Sequence, residues 1–321
     1  MACLRLYILL IGLIAFSSLS AQVQEELTPL ALKQTTIITE PATLKKGFLR
    51  LGAAFSFSAI DKFFDDNAEK RFLPENVWAR SSLYILALQY GLSDRLQALV
   101  TIPFRDEFVS QSFTLEIPLS NTMTVTSWEL SGSGLGDMEF GFSYQLVPEN
   151  FARRAVLFSS FLTLPTGRKD PTDVVDETNY TLPIGNGEVI WEFELLWRRV
   201  NYPYFYSFAV SYDFKFGGNK VFDVGEDPLP FQSGSLLTLN GAYNFHLNDW
   251  LAVQNDMFYF SLGQDELNGQ TNDEQRWSVQ YVPRLSIQAK RLRINQSVGF
   301  VLLGRNVSAD PTYTAIVQYI F

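Results

Sequence analysis

The sequence has few of the residue types on which several common classes of protein depend. Its 321 residues include one Cys and one His, which excludes a disulfide scaffold and a zinc site of the usual His/Cys kind. The 25 basic and 34 acidic residues give a net charge of −9, so nucleic acid is not expected as a partner, because phosphate binding requires a basic surface. After residue 21, no apolar run reaches the roughly 20 residues that a membrane-spanning helix needs.

Residues 1–21 have the three regions of a secretory signal peptide. Arg5 supplies the positive charge, residues 6–16 form the apolar region, and residues 18–21 are the small residues of a cleavage site. Cys3 precedes the apolar region, so it is no lipoprotein acceptor, and the mature chain is expected to hold no cysteine. An N-terminal membrane anchor is the alternative, which the shortness of the apolar run disfavours. We therefore expect an exported protein, with residues 22–46 as a polar periplasmic lead-in and residues 47–321 as the folded domain.

Residues 204–216 alternate between apolar and polar side chains with a period of two. The apolar parity holds Tyr206, Phe208, Val210, Tyr212, Phe214 and Phe216, and the other parity holds Ser207, Ala209, Ser211, Asp213 and Lys215. Such a split predicts a β-strand whose two faces meet different environments. The split recurs in residues 138–146, 236–247 and 276–290, whereas residues 250–262 carry polar groups on both parities and suggest a β-bulge.

The connections between such segments alternate strictly between short and long. We predict strands over 47–59, 80–91, 95–105, 134–147, 154–164, 186–199, 204–216, 233–247, 250–262, 275–289, 291–304 and 312–321. Tight turns follow every second strand, and polar loops at 60–79, 106–133, 165–185, 217–232, 263–274 and 305–311 follow the others. An even strand number with short turns at one end and long loops at the other is typical of outer-membrane barrels. The sequence therefore predicts an all-β fold, an antiparallel transmembrane β-barrel of about 12 strands with short periplasmic turns and long external loops.

The last strand ends on an aromatic residue. Tyr313, Ala315, Val317, Tyr319 and Phe321 share one parity, and Phe321 is the final residue. Outer-membrane barrels resemble one another in this feature, which implies the barrel-assembly machinery as a partner, although an ordinary amphipathic strand also ends this way. A secreted β-sandwich is the competing fold. Its apolar parity would favour Val, Ile and Leu, whereas the 27 Phe, 14 Tyr and 6 Trp of this chain favour a lipid interface.

Several short motifs occur in a characteristic order. They are GLSDRLQALVTIPF at 91–104, GLGDMEFGFSYQL at 134–146, FLTLPTG at 161–167, PIGNG at 183–187 and LLTLNGAYNFHLNDWLAVQNDMFY at 236–259. In this order they are similar to the outer-membrane transporters of the family named for the meta-pathway of phenol degradation, and to related transporter barrels, over roughly residues 45–321. The resemblance implies an outer-membrane channel and supplies no catalytic residues. The motifs also fit a structural role, in which Gly134, Gly136 and Asp137 make a tight strand entry and Pro165 and Gly167 start a loop.

If the apolar parity faces lipid, the charged residues of the polar parity line the lumen. The basic ones gather on strands around the closure, and they are Arg50, Arg276, Arg284, Lys290 and Arg293. The acidic ones gather on the opposite side, with Arg198 as an exception among them, and they are Glu139, Glu188, Glu192 and Glu194. Two opposed charge walls would sort solutes by dipole and charge. Pairing of the same residues, which would fill a narrow lumen, is an equal alternative.

The predicted external loops are rich in acidic residues. They include Asp65, Asp66, Asp173, Asp176, Asp223, Asp227, Asp265 and Asp273. Clusters such as Asp65-Asp66 are candidates for binding divalent cations of the lipopolysaccharide layer, although simple solvation is the commoner state of such groups. The loop 106–133 mixes apolar and polar residues, and it is expected either to extend a hairpin above the membrane or to fold into the mouth.

These patterns predict a channel in the outer membrane of a diderm bacterium that passively transports small molecules, including hydrophobic or aromatic compounds. Outer-membrane lipid and lipopolysaccharide are its expected surroundings, the solute is not specified, and no cofactor, metal or catalytic residue is expected. A non-conducting structural or adhesion barrel that binds through its external loops is the alternative. A hydrolase is less favoured, because the sole His246 lies beside a turn at Asn248 and Asp249 with no Ser nearby in sequence.

Overall fold

The computed structural model describes residues 42–73, 77–117, 122–149, 154–169, 172–173, 180–221, 227–271 and 275–321. The predicted signal peptide and residues 22–41 of the predicted lead-in lie outside these ranges, as do Asp176, Asp223 and Asp273 of the loops. Within the described part of the chain, no helix is long and apolar enough to cross a membrane.

Twelve antiparallel strands close into one barrel, which confirms the predicted fold class. The strands are β1 Leu49–Ile60, β2 Val77–Ser93, β3 Leu96–Ile117, β4 in two segments Thr122–Leu135 and Met138–Val147, β5 Arg154–Leu164, β6 Val189–Asn201, β7 Tyr204–Phe216, β8 Leu236–His246, β9 Leu251–Leu262, β10 Arg276–Ala289, β11 Leu292–Arg305 and β12 Thr312–Ile320. Each strand pairs with the next one along the chain, and β12 pairs with β1, so that the main sheet has no open edge within the barrel. A closed sheet satisfies every ladder group internally, as a wall in lipid requires.

The two faces of the wall differ as the alternation predicts. In β7 the side chain of Phe208 is 49% exposed, whereas that of Ser207 is 7% exposed. Aromatic rings on the outer face meet across neighbouring strands, with centroids 5.0 Å apart for Phe55 and Tyr84. Polar and charged side chains face the interior and are buried there. An outer surface of exposed rings over a polar interior is the arrangement of a barrel in a bilayer.

The segment 106–133 is mostly strand rather than loop, so its prediction as a loop is wrong. Strands β3 and β4 continue as an antiparallel hairpin from the pair Phe104 and Leu135 to the pair Ile117 and Thr122. Arg105 and Glu107 are buried on the inner face of this extension. The apolar parity fades here, so the period-two pattern no longer marks the strand. Of the two arrangements expected for this segment, the extended hairpin is the one formed.

The bulge predicted in residues 250–262 is absent, because β9 pairs with both of its neighbours without a register shift. Asn255 lies on the outer face, where its Oδ1 accepts a hydrogen bond of 2.6 Å from the hydroxyl of Tyr281. Asp256 lies on the inner face. A satisfied polar group on the outer face therefore produced the irregular pattern. Register shifts occur elsewhere, at Gly91/Ser93, Gln145/Val147 and Val279/Gln280.

The long connections build two small sheets at one end of the barrel. One joins Lys62–Phe64, Lys70–Phe72 and Val307–Ser308, and the other joins Gly218–Lys220, Leu229–Gln232, Glu266–Leu267 and Gln270–Thr271. Asp65 stabilises the turn between the first two strands of the first small sheet, because its Oδ1 accepts hydrogen bonds of 2.9 Å from the amides of Asn67 and Glu69. The amide of Glu69 in particular lowers the pKa of the Asp65 carboxyl below its usual value. This acidic residue is thus engaged by the protein itself.

Candidate functional site

The interior of the barrel is the candidate site, and it holds four of the five basic residues predicted there. Arg50 on β1, Arg276 and Arg284 on β10, and Arg293 on β11 are all buried inside the wall. Lys290 is the exception, since it is exposed in the turn between β10 and β11 with a positive φ of 55°. Its predicted place in the lumen is wrong, because the chain reverses between the paired residues Ala289 and Leu292 and uses Lys290 for the turn.

The four predicted acidic residues are also buried, on the opposite arc of the ring. Glu139 lies on β4, Glu192 and Glu194 lie on β6, and Glu188 directly precedes β6. Glu188 accepts hydrogen bonds from both the amide, at 2.7 Å, and the hydroxyl of Ser233. Removal from water raises the pKa of the Glu188 carboxyl, and the bonds from Ser233 partly oppose that rise.

Each arc also contains a charge of the other sign, of which the two-wall prediction includes Arg198 but not Asp256. On the basic arc, Arg284 Nη2 lies 3.2 Å from the Asp256 carboxylate of the neighbouring strand β9. On the acidic arc, Arg198 Nη2 lies 3.3 Å from Glu149. Asp256 was not predicted to face the interior, because a bulge was expected in residues 250–262. Its parity within β9 is the signal that places it inside. The charge separation is therefore partial, and both arcs carry local ion pairs.

The interior also has two apolar patches. One, formed by β1, β2, β3, β5 and β12, consists of Ala54, Leu83, Ile85, Ala87, Leu99, Phe161 and Ile316. The other, formed by β8, β9 and β10 with loop residues, includes Leu236, Phe258, Phe260, Leu262 and Val282. The rings of Phe258 and Phe260 stack with centroids 5.6 Å apart. The interior thus combines charged residues with buried apolar and aromatic ones, which sequence parity indicates only where Phe and Leu interrupt the polar series.

The ladder between β10 and β11 is interrupted in the middle of the wall. The pairs Tyr281 with Phe300 and Arg284 with Ser297 flank a stretch without pairs, in which Pro283 has no N–H to donate. A cavity of about 630 Å³ lies at this break. Its lining combines the apolar side chains of the outer face with Arg284, and it includes Phe55, Val253, Leu285, Val298, Tyr313 and Ala315. At this point the wall carries a cavity that joins apolar surface to a buried charge.

Three of the sequence motifs, those at 134–146, 161–167 and 183–187, come together at Asp137. The Asp137 carboxylate accepts hydrogen bonds from the amides of Gly167, at 2.9 Å, and Asn186, at 2.7 Å. A Cβ on Gly185 would lie 2.6 Å from Asp137 Oδ1, so only glycine fits there. The predicted structural role of Asp137 is therefore supported, with bonds that join β4 to the loop between β5 and β6 rather than capping its own turn. The loop residues Leu182 and Ile184 are buried.

Replacing Asp137 with Ala should release this loop. The change removes two hydrogen bonds to a charged group, each of which contributes about 1.5–3 kcal/mol in proteins. We expect protease cleavage within residues 165–188 on intact cells to become rapid, while the heat-modifiable mobility of the barrel persists. Asp227→Ala, in the exposed part of another loop, is the matched control and should leave cleavage unchanged. Equal resistance of both variants would show that Asp137 does not hold the loop.

The sole histidine lies at the end of a strand, next to a short turn. His246 is the last residue of β8 and is buried, and its Nε2 has no hydrogen-bond partner among the described residues. Its ring lies 6.4 Å from that of Tyr202 in the adjacent turn. Over the same described ranges, no group of three or more His, Cys, Asp or Glu residues is placed to hold a metal ion.

The fold is similar to those of solved outer-membrane proteins. The COG4313 outer membrane channel from Pseudomonas putida F1 matches with a TM-score of 0.67 and 14% identity, over 87% of this chain and 97% of that one. The KdgM porin matches with a TM-score of 0.46 and 10% identity over 85% and 99% of the two chains, and the CymD monoaromatic hydrocarbon channel with 0.43 and 9% over 86% and 88%. No protein-family model and no curated protein matches the sequence. The first match shows that the chain has the fold of an outer-membrane β-barrel.

Proposed function

We propose that this protein is a passive channel in the outer membrane of a diderm bacterium, and that it admits small molecules, including hydrophobic or aromatic compounds. The observation that carries the proposal is the closed barrel of twelve strands with exposed aromatic rings outside and buried charged residues inside. A wall of this kind is stable only in a bilayer, and its polar interior gives solutes a path that lipid does not. The fold match with an outer-membrane channel supports the same assignment.

The mixed interior supports the proposed range of solutes. The stacked rings of Phe258 and Phe260 and the patch around Phe161 are apolar, whereas Arg284 Nε and Nη1 have no hydrogen-bond partner among the described residues. A small aromatic compound with one polar or anionic group would match both kinds of surface. The two charged arcs would orient such a solute by its dipole during passage.

The positions of Phe321, of the exposed rings and of the loop sheets support the proposed partners. The backbone amide of Phe321 donates a hydrogen bond of 2.8 Å to the carbonyl of Leu49, and its ring stays exposed beside Tyr319 on the outer face. This leaves the terminal aromatic side chain accessible, as binding by the barrel-assembly machinery would require. The exposed rings around the wall would contact lipid, and the loop sheets would contact lipopolysaccharide.

Reconstitution tests the function directly. We expect purified protein in planar bilayers to give small, discrete conductance steps. We also expect proteoliposomes to swell faster in small aromatic acids than in disaccharides. Empty liposomes and a heat-unfolded sample are the controls. Absence of both conductance and swelling would contradict the channel and favour the alternative below.

The alternative is a structural or adhesion barrel that does not conduct. It is favoured by one observation, the direct pairing of Arg284 with Asp256, both of which are almost wholly buried. Side chains that pair in this way fill a lumen instead of lining an open one. In that case the external loop sheets would be the functional surface, and the reconstituted protein would be electrically silent.

A further inference from the structure

Two arginines are direct neighbours on the outer face of the barrel wall. Arg154 is the first residue of β5, Arg199 lies two residues before the end of β6, and the two are paired across the ladder. Both side chains are exposed. They share the parity of Trp197, which is 40% exposed on the outer face, whereas Arg198 between them in parity is fully buried in the interior. The pair therefore points away from the lumen.

The pair lies at the periplasmic edge of the membrane. β5 and β6 are joined to their neighbours at this end by the short connections 148–153 and 202–203, and the short connections of outer-membrane barrels are periplasmic. Arg199 is about 7 Å of strand from the end of β6. The next pair on this face toward the middle of the membrane is apolar, Trp197 with Val156. The two guanidinium groups therefore lie where the hydrocarbon region ends and the lipid headgroups begin.

Tyrosines continue this level of the wall beside Arg199. Arg199 pairs with Tyr206 on β7, and Tyr206 pairs with Tyr243 on β8. Both tyrosine side chains are exposed on the outer face, and their ring centroids are 5.4 Å apart. Tyrosine is enriched at the boundary between membrane and water, where the ring contacts acyl chains and the hydroxyl contacts headgroups. The tyrosines therefore place the arginines at the headgroup level independently of the turn lengths.

The arrangement of charge at this pair calls for an anion. Like charges directly opposite each other on neighbouring strands destabilise a sheet. In the described part of the chain, Arg199 forms no ion pair with a carboxylate, so the protein itself does not neutralise it. A phosphate group does so well, because each planar guanidinium can donate two parallel hydrogen bonds to its oxygens. Phospholipid forms the periplasmic leaflet of an outer membrane, and its phosphate lies at the level of these arginines.

We propose that Arg154 and Arg199 form a binding site for the phosphate of an anionic phospholipid in the periplasmic leaflet, with Trp197 and Tyr206 against the same lipid. Phosphatidylglycerol and cardiolipin match the site, because their headgroups carry no ammonium group to offset the phosphate. The bound lipid removes the repulsion between β5 and β6, so the membrane stabilises this part of the wall. The proposal requires the barrel to lie in the outer membrane and is independent of whether it conducts.

Arg199→Gln tests the proposal through the lipid dependence of stability. In vesicles of phosphatidylcholine alone the change relieves a repulsion, and we expect the urea midpoint of unfolding to stay or to rise. In vesicles that also contain phosphatidylglycerol it removes half of the site, and we expect the midpoint to fall. Arg199→Lys keeps the charge without the paired donors and should recover only part of that loss. An equal fall in both kinds of vesicle would show a purely structural role and overturn the proposal.

Arg80→Gln is the matched control. Arg80 is also an exposed arginine of the outer face, but Asp106 lies 3.8 Å from it and the ring of Phe108 lies beneath its guanidinium. Because a carboxylate already neutralises this arginine, we expect the change to have the same small effect in both kinds of vesicle. A loss in phosphatidylglycerol as large as that of Arg199→Gln would indicate general attraction between basic residues and anionic lipid, which contradicts a specific site.

Native mass spectrometry detects the lipid itself, independently of stability. We expect the folded parent protein to retain phosphatidylglycerol in preference to phosphatidylcholine, and the double variant Arg154→Gln with Arg199→Gln to retain several-fold less. Arg80→Gln should match the parent. Inorganic phosphate at the concentration of the lipid should not displace it, and displacement would show a site for free anions instead. A parent protein without preference for phosphatidylglycerol would overturn the proposal.

Discussion

Val210→Lys in the middle of β7 is expected to lower the free energy of unfolding from lipid by about 2–4 kcal/mol, the cost of a lysine at the bilayer midplane on the outer face of a barrel. Val210 pairs with Leu195 on β6 and Leu239 on β8, so its surroundings on the outer face are purely apolar. The ammonium group would have no partner within this belt. Urea titration of protein folded into vesicles measures the loss, and the heat-modifiable band on a gel reports how much protein assembles.

The adjacent residue supplies the control. Ser211 faces the interior and pairs with Glu194 on β6, so a lysine there meets a carboxylate instead of lipid. We expect Ser211→Lys to cost less free energy of unfolding than Val210→Lys, because its ammonium group would lie beside the Glu194 carboxylate inside the barrel. A large loss for Ser211→Lys with tolerance of Val210→Lys would mean that the two faces of the barrel are reversed.

The same alternation explains how much of the fold could be predicted from the sequence. Where lipid lies on one side and a polar interior on the other, as around Phe208 and Ser207, the two environments impose a period of two that is visible in the residues. In the strand extension around Arg105 and Glu107 the inner face stays buried, but Asp106 on the outer parity and Val109 on the inner parity break the split between apolar and polar residues. The closed ring was predictable because connection lengths alternate along the chain, a property independent of any single strand.

The interior was less predictable, because parity gives a face but not a partner. Parity places Arg284 and Asp256 inside the wall, yet only the register of β9 against β10 shows that they pair. The prediction that Lys290 lines the lumen failed for a different reason. The two-residue turn after Ala289 ends the strand one residue earlier than the apolar and polar alternation of the sequence suggests. The segment at residues 42–44 has no period at all, so its burial inside the barrel could not be predicted.

Arg284 and Asp256 should behave as one unit in a double-mutant cycle. Both are buried, and Asp256 also accepts hydrogen bonds of 2.8 Å from Gln254, while Arg284 Nε and Nη1 have no partner among the described residues. Arg284→Met leaves a buried carboxylate with one neutral donor, and Asp256→Asn leaves a buried guanidinium without its counter-ion. Each single change is expected to cost about 3–5 kcal/mol, as breaking a buried pair does.

The double variant decides whether water reaches this part of the interior. If the pair lies in a dry wall, Arg284→Met with Asp256→Asn should cost less than the sum of the single changes by about 2–3 kcal/mol, because neither charge is then left alone. The exposed pair Arg80 and Asp106, 3.8 Å apart, is the control, and its coupling should stay below about 1 kcal/mol. Coupling of Arg284 with Asp256 as weak as that of the control would show that both groups are solvated, which places an open, water-filled lumen at β9 and β10. Strong coupling together with measurable conductance would instead confine the solute path to the part of the interior between this pair and the opposite arc.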